Sequence, residues 1–233
     1  MDFATWAATL RLLPDAWQAG RLVFTNDSIL PLPMLFPCFM DRLRAQTAEY
    51  VGLTESQHPR LHLQSYFFML QGRALKNDAV HAFWAEMPVL TRKQDVIDAL
   101  ETRLFNLATV RWGLSSKVLF PLDALFPGCD PDEVALVNVS HSYWEHLVQC
   151  GMPFVKVELL RDNPLKVPIQ HWRAVMARHG ADIDEVEAHL AVPRGGTKVA
   201  GRPEWRIVLS ELNRVRLGIR RRRRARCTPK PVR

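Results

Sequence analysis

Three small polar residues, Asn26, Asp27 and Ser28, directly follow the apolar run Arg21–Thr25, whose composition predicts a buried strand. Ligands bind at the carboxyl ends of strands in open α/β sheets. A carboxylate at that edge can hold a divalent cation against a diphosphate. Asp27 is therefore a candidate metal residue. The alternative is an ordinary turn in which Asp27 bonds its own backbone.

A second polar group lies on the segment His62–Leu70, which its aromatic and apolar residues predict to be a strand. The two-residue period of a strand places His62, Gln64 and Tyr66 on one face, with Ser65 between them in the chain. An imidazole, an amide and a phenol on one face can line a polar sugar site. The alternative for each of them is a buried polar residue that is satisfied within the core.

Glu101 is the third candidate, because it is an acid in a predicted helix that is otherwise Val, Ile, Leu and Ala on one side. A positioned carboxylate can act as a general base. With Arg103 nearby, the alternative is a solvated helix face. The sequence contains no glycine-rich phosphate loop, no G-x-S-x-G and no H-E-x-x-H motif, and no Cys–His pair has the context of a nucleophile.

Extended segments and helices alternate along the chain and must position these candidates. The predicted strands are Arg21–Thr25, Tyr50–Thr54, His62–Leu70 and Pro153–Leu160. The predicted helices start near Asp2 and then cover Phe39–Ala48, Lys76–Met87, Lys93–Thr109, Ser142–Gln149, Ile169–His179 and Asp184–Leu190. This alternation indicates a layered α/β fold with a largely parallel or mixed sheet. Three or four strands are few for a sheet of this class.

The composition is that of a globular protein and excludes disorder over the full length. The chain has 233 residues, of which 48% are hydrophobic and 24% charged. No apolar run approaches the roughly 20 residues that span a bilayer. The first residues do not have the pattern of a signal peptide. The four cysteines have no C-x-x-C spacing, which argues against a zinc site and a disulfide framework. We therefore expect a cytoplasmic protein.

The excess positive charge is confined to the last residues. Residues 214–233 contain ten of the 31 Lys and Arg residues and no acid, which leaves 21 bases against 24 acids in the rest of the chain. Trp205–Arg224 reads as a basic, partly amphipathic helix, a pattern typical of a segment on an anionic membrane surface. The alternative is a solvated tail. The slightly acidic body argues against specific nucleic-acid binding.

Several short motifs occur together in a fixed order. They are Asp2-Phe3-Ala4-Thr5-Trp6, Thr25-Asn26-Asp27-Ser28, Gly52-Leu53-Thr54-Glu55-Ser56, His62-Leu63-Gln64-Ser65-Tyr66-Phe67, Phe83-Trp84, Glu101-Thr102-Arg103-Leu104 and the run Pro153–Pro164. Each motif alone is weak. Seven motifs in order across residues 2–190 resemble the rhamnan synthesis protein F family of bacterial glycosyltransferases.

The resemblance implies a partial GT-A-like, Rossmann-like fold, a mixed sheet flanked by helices. It implies transfer of a sugar, rhamnose, from a nucleotide sugar such as dTDP-rhamnose. The acceptor would be a lipid-linked cell-envelope polysaccharide of the lipopolysaccharide O-antigen type, at the inner face of the membrane. The implied roles are a Mg²⁺ or Mn²⁺ ligand for Asp27, general base for Glu101, and substrate binding for Asn26, Ser28, Glu55, His62, Gln64 and Ser65.

The sequence departs from the family pattern in places. The strand exit continues Ile29-Leu30-Pro31 without the usual glycine, and Val51 stands where the family carries Trp. The family also carries a nucleotide-binding half before the D-F-x-x-W segment, so we expect this chain to lack donor-side strands. The expected organisation is a glycosyltransferase-like domain over residues 1–192, a linker over 193–204 and a basic tail over 205–233. A catalytically silent remnant that acts as an interaction module is the alternative.

Overall fold

A computed structural model describes residues 2–57, 60–90, 93–129, 134 and 138–192. The chain forms two compact units. Unit 1 comprises Met1–Ser28 and Cys38–Pro121, and unit 2 comprises Ile29–Pro37 and Leu122–Arg233. The expected linker and basic tail lie outside the described residues, so the domain boundaries stay predictions. Among the described residues, no helix has the length and apolar character needed to cross a membrane.

Short strands and helices alternate through the described residues. The strands are β1 (Arg21–Thr25), β2 (Ile29–Pro31), β3 (Tyr50–Gly52), β4 (Glu55–Ser56), β5 (His62–Leu63), β6 (Phe67–Gln71), β7 (Ser116–Val118) and β8 (Phe154–Lys156). The α-helices are α1 (Asp2–Leu12), α2 (Phe36–Arg44), α3 (Asp78–Ala85), α4 (Lys93–Val96), α5 (Thr102–Asn106), α6 (Leu122–Leu125), α7 (Val139–Ser142), α8 (Trp144–Gln149), α9 (Val157–Arg161), α10 (Trp172–Arg178) and α11 (Ile183–Ala191).

Unit 1 is built on a four-stranded mixed sheet in the order β1-β6-β3-β7. β6 runs antiparallel to both β1 and β3, with Thr25 opposite Phe67 and Gly52 opposite Phe68. β7 runs parallel to β3, with Gly52 opposite Val118. The predicted fold class, a mixed sheet flanked by helices in a partial Rossmann-like arrangement, is confirmed. Because of these directions, β1, β3 and β7 all end where β6 begins. We call this side of the sheet the carboxyl edge.

Aromatic rings hold the helices of unit 1 against its sheet. The Phe24 ring stacks on Phe68 with 4.5 Å between centroids and on Trp84 with 4.8 Å. Trp6 meets Phe24 and Phe68 edge-on, and Phe3 stacks on Trp84. Each such ring buries roughly 150–250 Å². This cluster therefore fixes α1 and α3 relative to β1 and β6.

Gly52 allows β5 to approach the end of β3. A Cβ atom on Gly52 would lie 2.7 Å from Cδ1 of Leu63 and 3.1 Å from its Cβ, so only a hydrogen fits there. The approach lets β5 pair with β4, which follows β3 two residues later, with Glu55 opposite Leu63. The small β4–β5 hairpin is thereby placed beside the carboxyl edge.

Two predicted strands differ from the structure. The segment His62–Leu70 is divided into β5 and β6 by a turn at Ser65–Tyr66, because β5 pairs locally with β4 whereas β6 pairs with β1 and β3. The prediction of an extended Pro153–Leu160 is wrong after Lys156, where α9 begins. Val157 and Leu160 are three residues apart, and both are buried in the core of unit 2. That spacing is helical.

Unit 2 contains the β2–β8 ribbon and the helices around it. Leu30 on β2 and Val155 on β8 lie opposite each other, and both are buried in one cluster with Trp144, Leu159 and Met176. The Leu32 amide donates to the Pro153 carbonyl at 2.8 Å, which extends the contact past the ribbon. A two-stranded ribbon is marginal alone, so this helical packing stabilises it.

Candidate functional site

The carboxyl edge brings two of the predicted polar groups together. The Thr25 hydroxyl, at the end of β1, donates to the Tyr66 carbonyl at 3.3 Å. The turn Asn26–Ser28 therefore starts beside the turn that precedes β6. Both segments lie at the edge of the sheet where the sequence predicts ligand binding, the carboxyl ends of the strands of an α/β sheet.

Glu101 meets this edge from a helix. Its Oε1 atom accepts the Ser65 backbone N–H at 2.8 Å. The long helix that carries it continues from α4 through a π-helical turn, Ile97–Glu101, into α5 and a second π-helical turn, Leu107–Arg111. Single π-turns inside helices are rare and occur frequently at functional sites. Glu101 is partly buried, and among the described residues no group bonds to its Oε2 atom.

A chain of hydrogen bonds underlies the Ser65 turn. The Tyr66 hydroxyl and Thr54 Oγ1 are 2.7 Å apart, and Thr54 Oγ1 donates to Gln64 Oε1 at 2.7 Å. The backbone N–H of Gln64 also donates to the Thr54 carbonyl at 3.0 Å. Thr54 is fully buried and Tyr66 nearly so, whereas Gln64 is partly exposed. Thr54 therefore connects a buried phenol to an amide near the surface.

Two buried tyrosines that feel the charge of Glu101, Tyr50 and Tyr66, keep their protons. Burial raises the pKa of Tyr50 above its usual value, and the negative charge of Glu101 raises it further. Burial also raises the pKa of Tyr66, with a smaller opposing effect of its hydrogen bond to Thr54 and a further rise due to Glu101. Both phenols are neutral donors at physiological pH, and neither can act as a base there.

Asn26 organises the first turn, contrary to the predicted alternative in which Asp27 bonds its own backbone. Asn26 Oδ1 accepts the Ser28 amide at 3.1 Å and the Ser28 hydroxyl at 2.6 Å, while Asn26 Nδ2 donates to Asp2 at 2.8 Å. The Asp27 side chain is exposed, and within the described part of the chain nothing bonds to it. The turn thus presents one carboxylate to solvent.

The donor set at this turn fits a cation only together with a ligand. The described residues contain no group of three or more His, Cys, Asp or Glu side chains that could hold a metal ion. Mg²⁺ is commonly bound by one or two carboxylates plus substrate phosphates. Asp27, the carboxylate of this turn, could be the single protein carboxylate of such a site, with substrate phosphates as the other ligands.

The other predicted site residues occupy the hairpin beside the edge. His62 is 5% exposed, and its Nδ1 lies 2.8 Å from the Arg60 carbonyl. Glu55 is partly buried on β4 and lies opposite Leu63 of β5. The structure thus bonds Ser65 to Glu101 and Gln64 to Thr54, and it leaves His62 buried in the hairpin.

Sequence reasoning missed Thr54 and Tyr50 near Glu101, and it named the Tyr66 phenol only as part of a strand face that could line a sugar site. The signal for Thr54 was present, because its motif ends a predicted strand as Asn26–Ser28 does. Thr54 lies next to an apolar run, however, and its burial is not evident from its type. Glu101 acts on Tyr50 through its charge, and the two residues are 51 positions apart in the chain, so no local pattern relates them.

The first motif of the chain supports the same edge from behind. Trp6 Nε1 donates to the Thr25 carbonyl at 3.0 Å, and Asp2 accepts from Asn26. The D-F-x-x-W pattern therefore combines a buried ring, Phe3, and a partly buried one, Trp6, with two polar groups that hold the end of β1.

Comparison with known proteins places this chain in a family. A family model described as rhamnan synthesis protein F matches residues 4–182. Virulence protein VirA of Vibrio anguillarum is 28% identical over 192 residues, which cover 72% of this chain and 61% of that protein. The uncharacterized protein y4gN of Sinorhizobium fredii is 32% identical over 101 residues, 41% of this chain and 26% of its own length. No solved structure matches the chain.

The chain spans about three fifths of the length of VirA. The family match, in contrast, extends over most of this chain, through the carboxyl edge, the Glu101 helix and the ribbon of unit 2. The protein belongs to the rhamnan synthesis protein F family.

Proposed function

We propose that this protein transfers a sugar, rhamnose, from a nucleotide-sugar donor to a growing cell-envelope polysaccharide, with Glu101 as the general base. Family membership supports the reaction class. The observation that carries the role of Glu101 is its carboxylate at the carboxyl edge, with one oxygen held by the Ser65 N–H.

The carboxylate geometry suits proton transfer. The hydrogen bond from Ser65 to Oε1 fixes the orientation of the group, and Oε2 accepts no bond from the described residues. A base must lie within hydrogen-bond reach of the proton that it takes. Tyr50 and Tyr66 are protonated, so neither competes with Glu101 for that proton.

The reaction is a displacement at the anomeric carbon of the donor. The acceptor hydroxyl oxygen forms a bond to that carbon, while the bond from the carbon to the diphosphate oxygen breaks. The hydroxyl proton passes to Glu101, and the nucleoside diphosphate leaves with the bonding electron pair. General-base assistance of this kind is worth about 10²–10⁴-fold.

Asp27 is the proposed residue for the leaving diphosphate. It is exposed at the end of β1 and would hold a Mg²⁺ or Mn²⁺ ion together with the diphosphate oxygens. Such an ion neutralises the charge that gathers on the leaving group. Asn26 and Ser28 support Asp27 by fixing the turn through their two hydrogen bonds.

The proposed acceptor is carried on a lipid at the cytoplasmic face of the membrane. The motivation is the sequence of residues 205–224, which on a helix would give an apolar side with a basic border and a basic end, as in membrane-surface helices. Each basic residue near an anionic surface contributes about 1 kcal/mol. Co-sedimentation of the full chain with vesicles of anionic lipid, compared with neutral lipid, tests this part. Equal amounts in both pellets would contradict it.

The central test compares wild type, Glu101→Gln and Asp98→Asn, the last an exposed acid of the same π-helical turn. Turnover of dTDP-rhamnose with a lipid-linked acceptor is measured together with donor binding by calorimetry. Glu101→Gln should lower kcat by about 10²–10⁴-fold and leave donor affinity within about twofold, because it removes a proton acceptor and little else. Asp98→Asn should match wild type.

Two outcomes contradict the proposal. A variant Glu101→Gln with full turnover removes Glu101 from the reaction. A wild-type chain that neither binds nor turns over the donor contradicts the transferase assignment and favours the interaction module.

A further inference from the structure

We propose that Thr54 is a positioning residue which orients the Gln64 amide, so that Gln64 Nε2 donates a hydrogen bond to a hydroxyl of the bound sugar. This inference rests on the proposed function for the identity of the ligand. The orientation of the amide rests on the hydrogen bonds alone.

The first step concerns the hydroxyl of Thr54. That side chain is fully buried, and its Oγ1 atom lies 2.7 Å from both the Tyr66 hydroxyl and Gln64 Oε1. A threonine hydroxyl has one proton to donate and two lone pairs to accept with. One of its two neighbours must therefore supply a proton.

The second step fixes the direction of the relay. Gln64 Oε1 can only accept, so the single proton of Thr54 is directed to it, and the second hydrogen bond of Thr54 takes its proton from the Tyr66 hydroxyl, which burial keeps protonated. Tyr66 donates a hydrogen bond to Thr54, and Thr54 donates one to Gln64 Oε1. The relay thus runs from the buried phenol toward the partly exposed amide.

The third step follows from the chemistry of glutamine. Only the Oε1 atom of a side-chain amide accepts a hydrogen bond, whereas Nε2 supplies two donors. Because Oε1 faces Thr54, Nε2 lies on the other side of the amide, away from the relay. Within the described residues no group accepts from it.

The fourth step identifies the ligand chemistry. Gln64 precedes Ser65, whose N–H holds Glu101, the proposed base. A donor at this position suits an oxygen acceptor, either a sugar hydroxyl or a phosphate oxygen. The sugar is favoured for two reasons. Glu101 takes the proton of the acceptor hydroxyl that attacks the anomeric carbon, and the ring hydroxyls of the donor lie next to that carbon. The diphosphate is assigned to the turn of Asp27.

The first arm of the test measures the amide orientation without any ligand. Exchange of the two Gln64 Nε2 protons with water is followed by nuclear magnetic resonance, with exposed Gln170 as the reference. Both Gln64 protons should exchange with similar rates. If one proton exchanges at least about tenfold more slowly than the other, it is held by Thr54 Oγ1, and the proposed orientation is overturned.

The second arm measures binding of dTDP-rhamnose and of dTDP by calorimetry. Thr54→Val keeps the shape of the side chain and loses the hydroxyl, and Thr54→Ser keeps the hydroxyl. Thr54→Val should weaken dTDP-rhamnose about tenfold and leave dTDP unchanged, and Thr54→Ser should restore wild-type affinity. Tyr66→Phe should weaken binding less than Thr54→Val, because Thr54 can still donate to Gln64.

The two arms separate the possible failures. Unchanged affinity for dTDP-rhamnose in Thr54→Val overturns the positioning role, and equal weakening of both probes overturns the sugar as the partner of Nε2. Weak binding in both Thr54→Val and Thr54→Ser assigns Thr54 a packing role only and also overturns the proposal. If wild type binds neither probe, the transferase assignment fails, whereas the exchange rates still decide the orientation of Gln64.

Discussion

The two units use the polar residues of their motifs in different ways. In unit 1, the Ser65 backbone N–H binds the Glu101 carboxylate, and the Thr54 side chain connects those of Tyr66 and Gln64. In unit 2, Arg161 and Asn163 of the run Pro153–Pro164 bind backbone groups. A motif that matches a family pattern can therefore be either a site or a support, and its bonding partners distinguish the two.

The contacts of unit 2 show what a supporting motif does. Arg161, at the end of α9, donates to the carbonyls of His189 and Leu190 at 2.9 and 3.0 Å and so satisfies the end of α11. Asn163 closes a loop by exchanging two hydrogen bonds with Val167, at 2.7 and 2.8 Å. In these bonds the two side chains hold the backbone of unit 2 in place.

The largest effect that tests this difference is expected at Asp27. Asp27→Asn should lower kcat by at least about 100-fold, as the loss of a group that stabilises developing charge does. The melting temperature should stay within about 1 °C, because the side chain is exposed and bonds to none of the described residues. Asp41→Asn, at another exposed acid of unit 1, is the matched control. Retained activity in Asp27→Asn would make the turn a support as well.

The next effect is expected at Gly52, which supports the fold directly beside the candidate site. Gly52→Ala should destabilise the protein by about 1–3 kcal/mol, because the new Cβ would lie 2.7 Å from Leu63. Thermal or denaturant unfolding measures the loss. Gly20→Ala is the control, since nothing lies within 4 Å of a Cβ there, and it should be neutral or slightly stabilising. Equal stability of both variants would show that β5 can move away from β3.

The third effect is expected in unit 2. Asn163 has φ of 39°, a left-handed conformation, in addition to its two hydrogen bonds. Asn163→Ala should lower the free energy of unfolding by about 2 kcal/mol through both losses. Asn163→Gly should lose less, because glycine adopts that backbone conformation freely. Neither variant should change kcat of the folded protein. A kinetic defect without a stability loss would place Asn163 in a site instead.

Part of this division could be predicted from the sequence. The run RLVFT followed by Asn-Asp-Ser gave β1 with its bounds and the turn after it, because apolar composition and small polar residues are local signals. Glu101 and Ser65 were both identified as candidates, but their contact was not, since the hydrogen bond joins residues 36 positions apart. No local pattern contains such a contact.

The remaining differences have two physical causes. The sequence HLQSYFFML contains no Gly, Pro, Asn or Asp, so its composition does not show the turn at Ser65–Tyr66 that pairing with two different partners requires. The run PFVKVELL changes from β8 to α9 at Val157, and short apolar runs fit either structure. Tertiary pairing decides both cases, and the second turned a predicted strand into part of a helical support.

The smallest effect is expected at the edge of the sheet opposite to the carboxyl edge, where a second polar cluster of unit 1 has a supporting role. Arg73 donates to both carboxylate oxygens of Glu49, at 2.9 and 3.1 Å, and the Ser115 amide donates to Glu49 at 2.9 Å. The Arg73 hydrogen bond, followed by the smaller effect of Ser115, lowers the pKa of Glu49 from 4.5 to about 2, despite an opposing effect of burial.

A carboxyl group whose pKa is lowered on folding stabilises the folded state only while it is ionised. Its contribution is complete above pH 4.5 and is lost as the pH falls toward 2. Glu49→Gln should therefore lower the free energy of unfolding by about 1 kcal/mol at pH 7, a modest value because Arg73 is exposed to solvent. Denaturant unfolding of both proteins between pH 7 and pH 2.5 measures it, and the difference between them should shrink steadily below pH 4.5. Turnover at pH 7 should be unchanged. A difference that is constant across this range would mean that Glu49 acts through packing, and a loss of turnover would extend the site to both edges of the sheet.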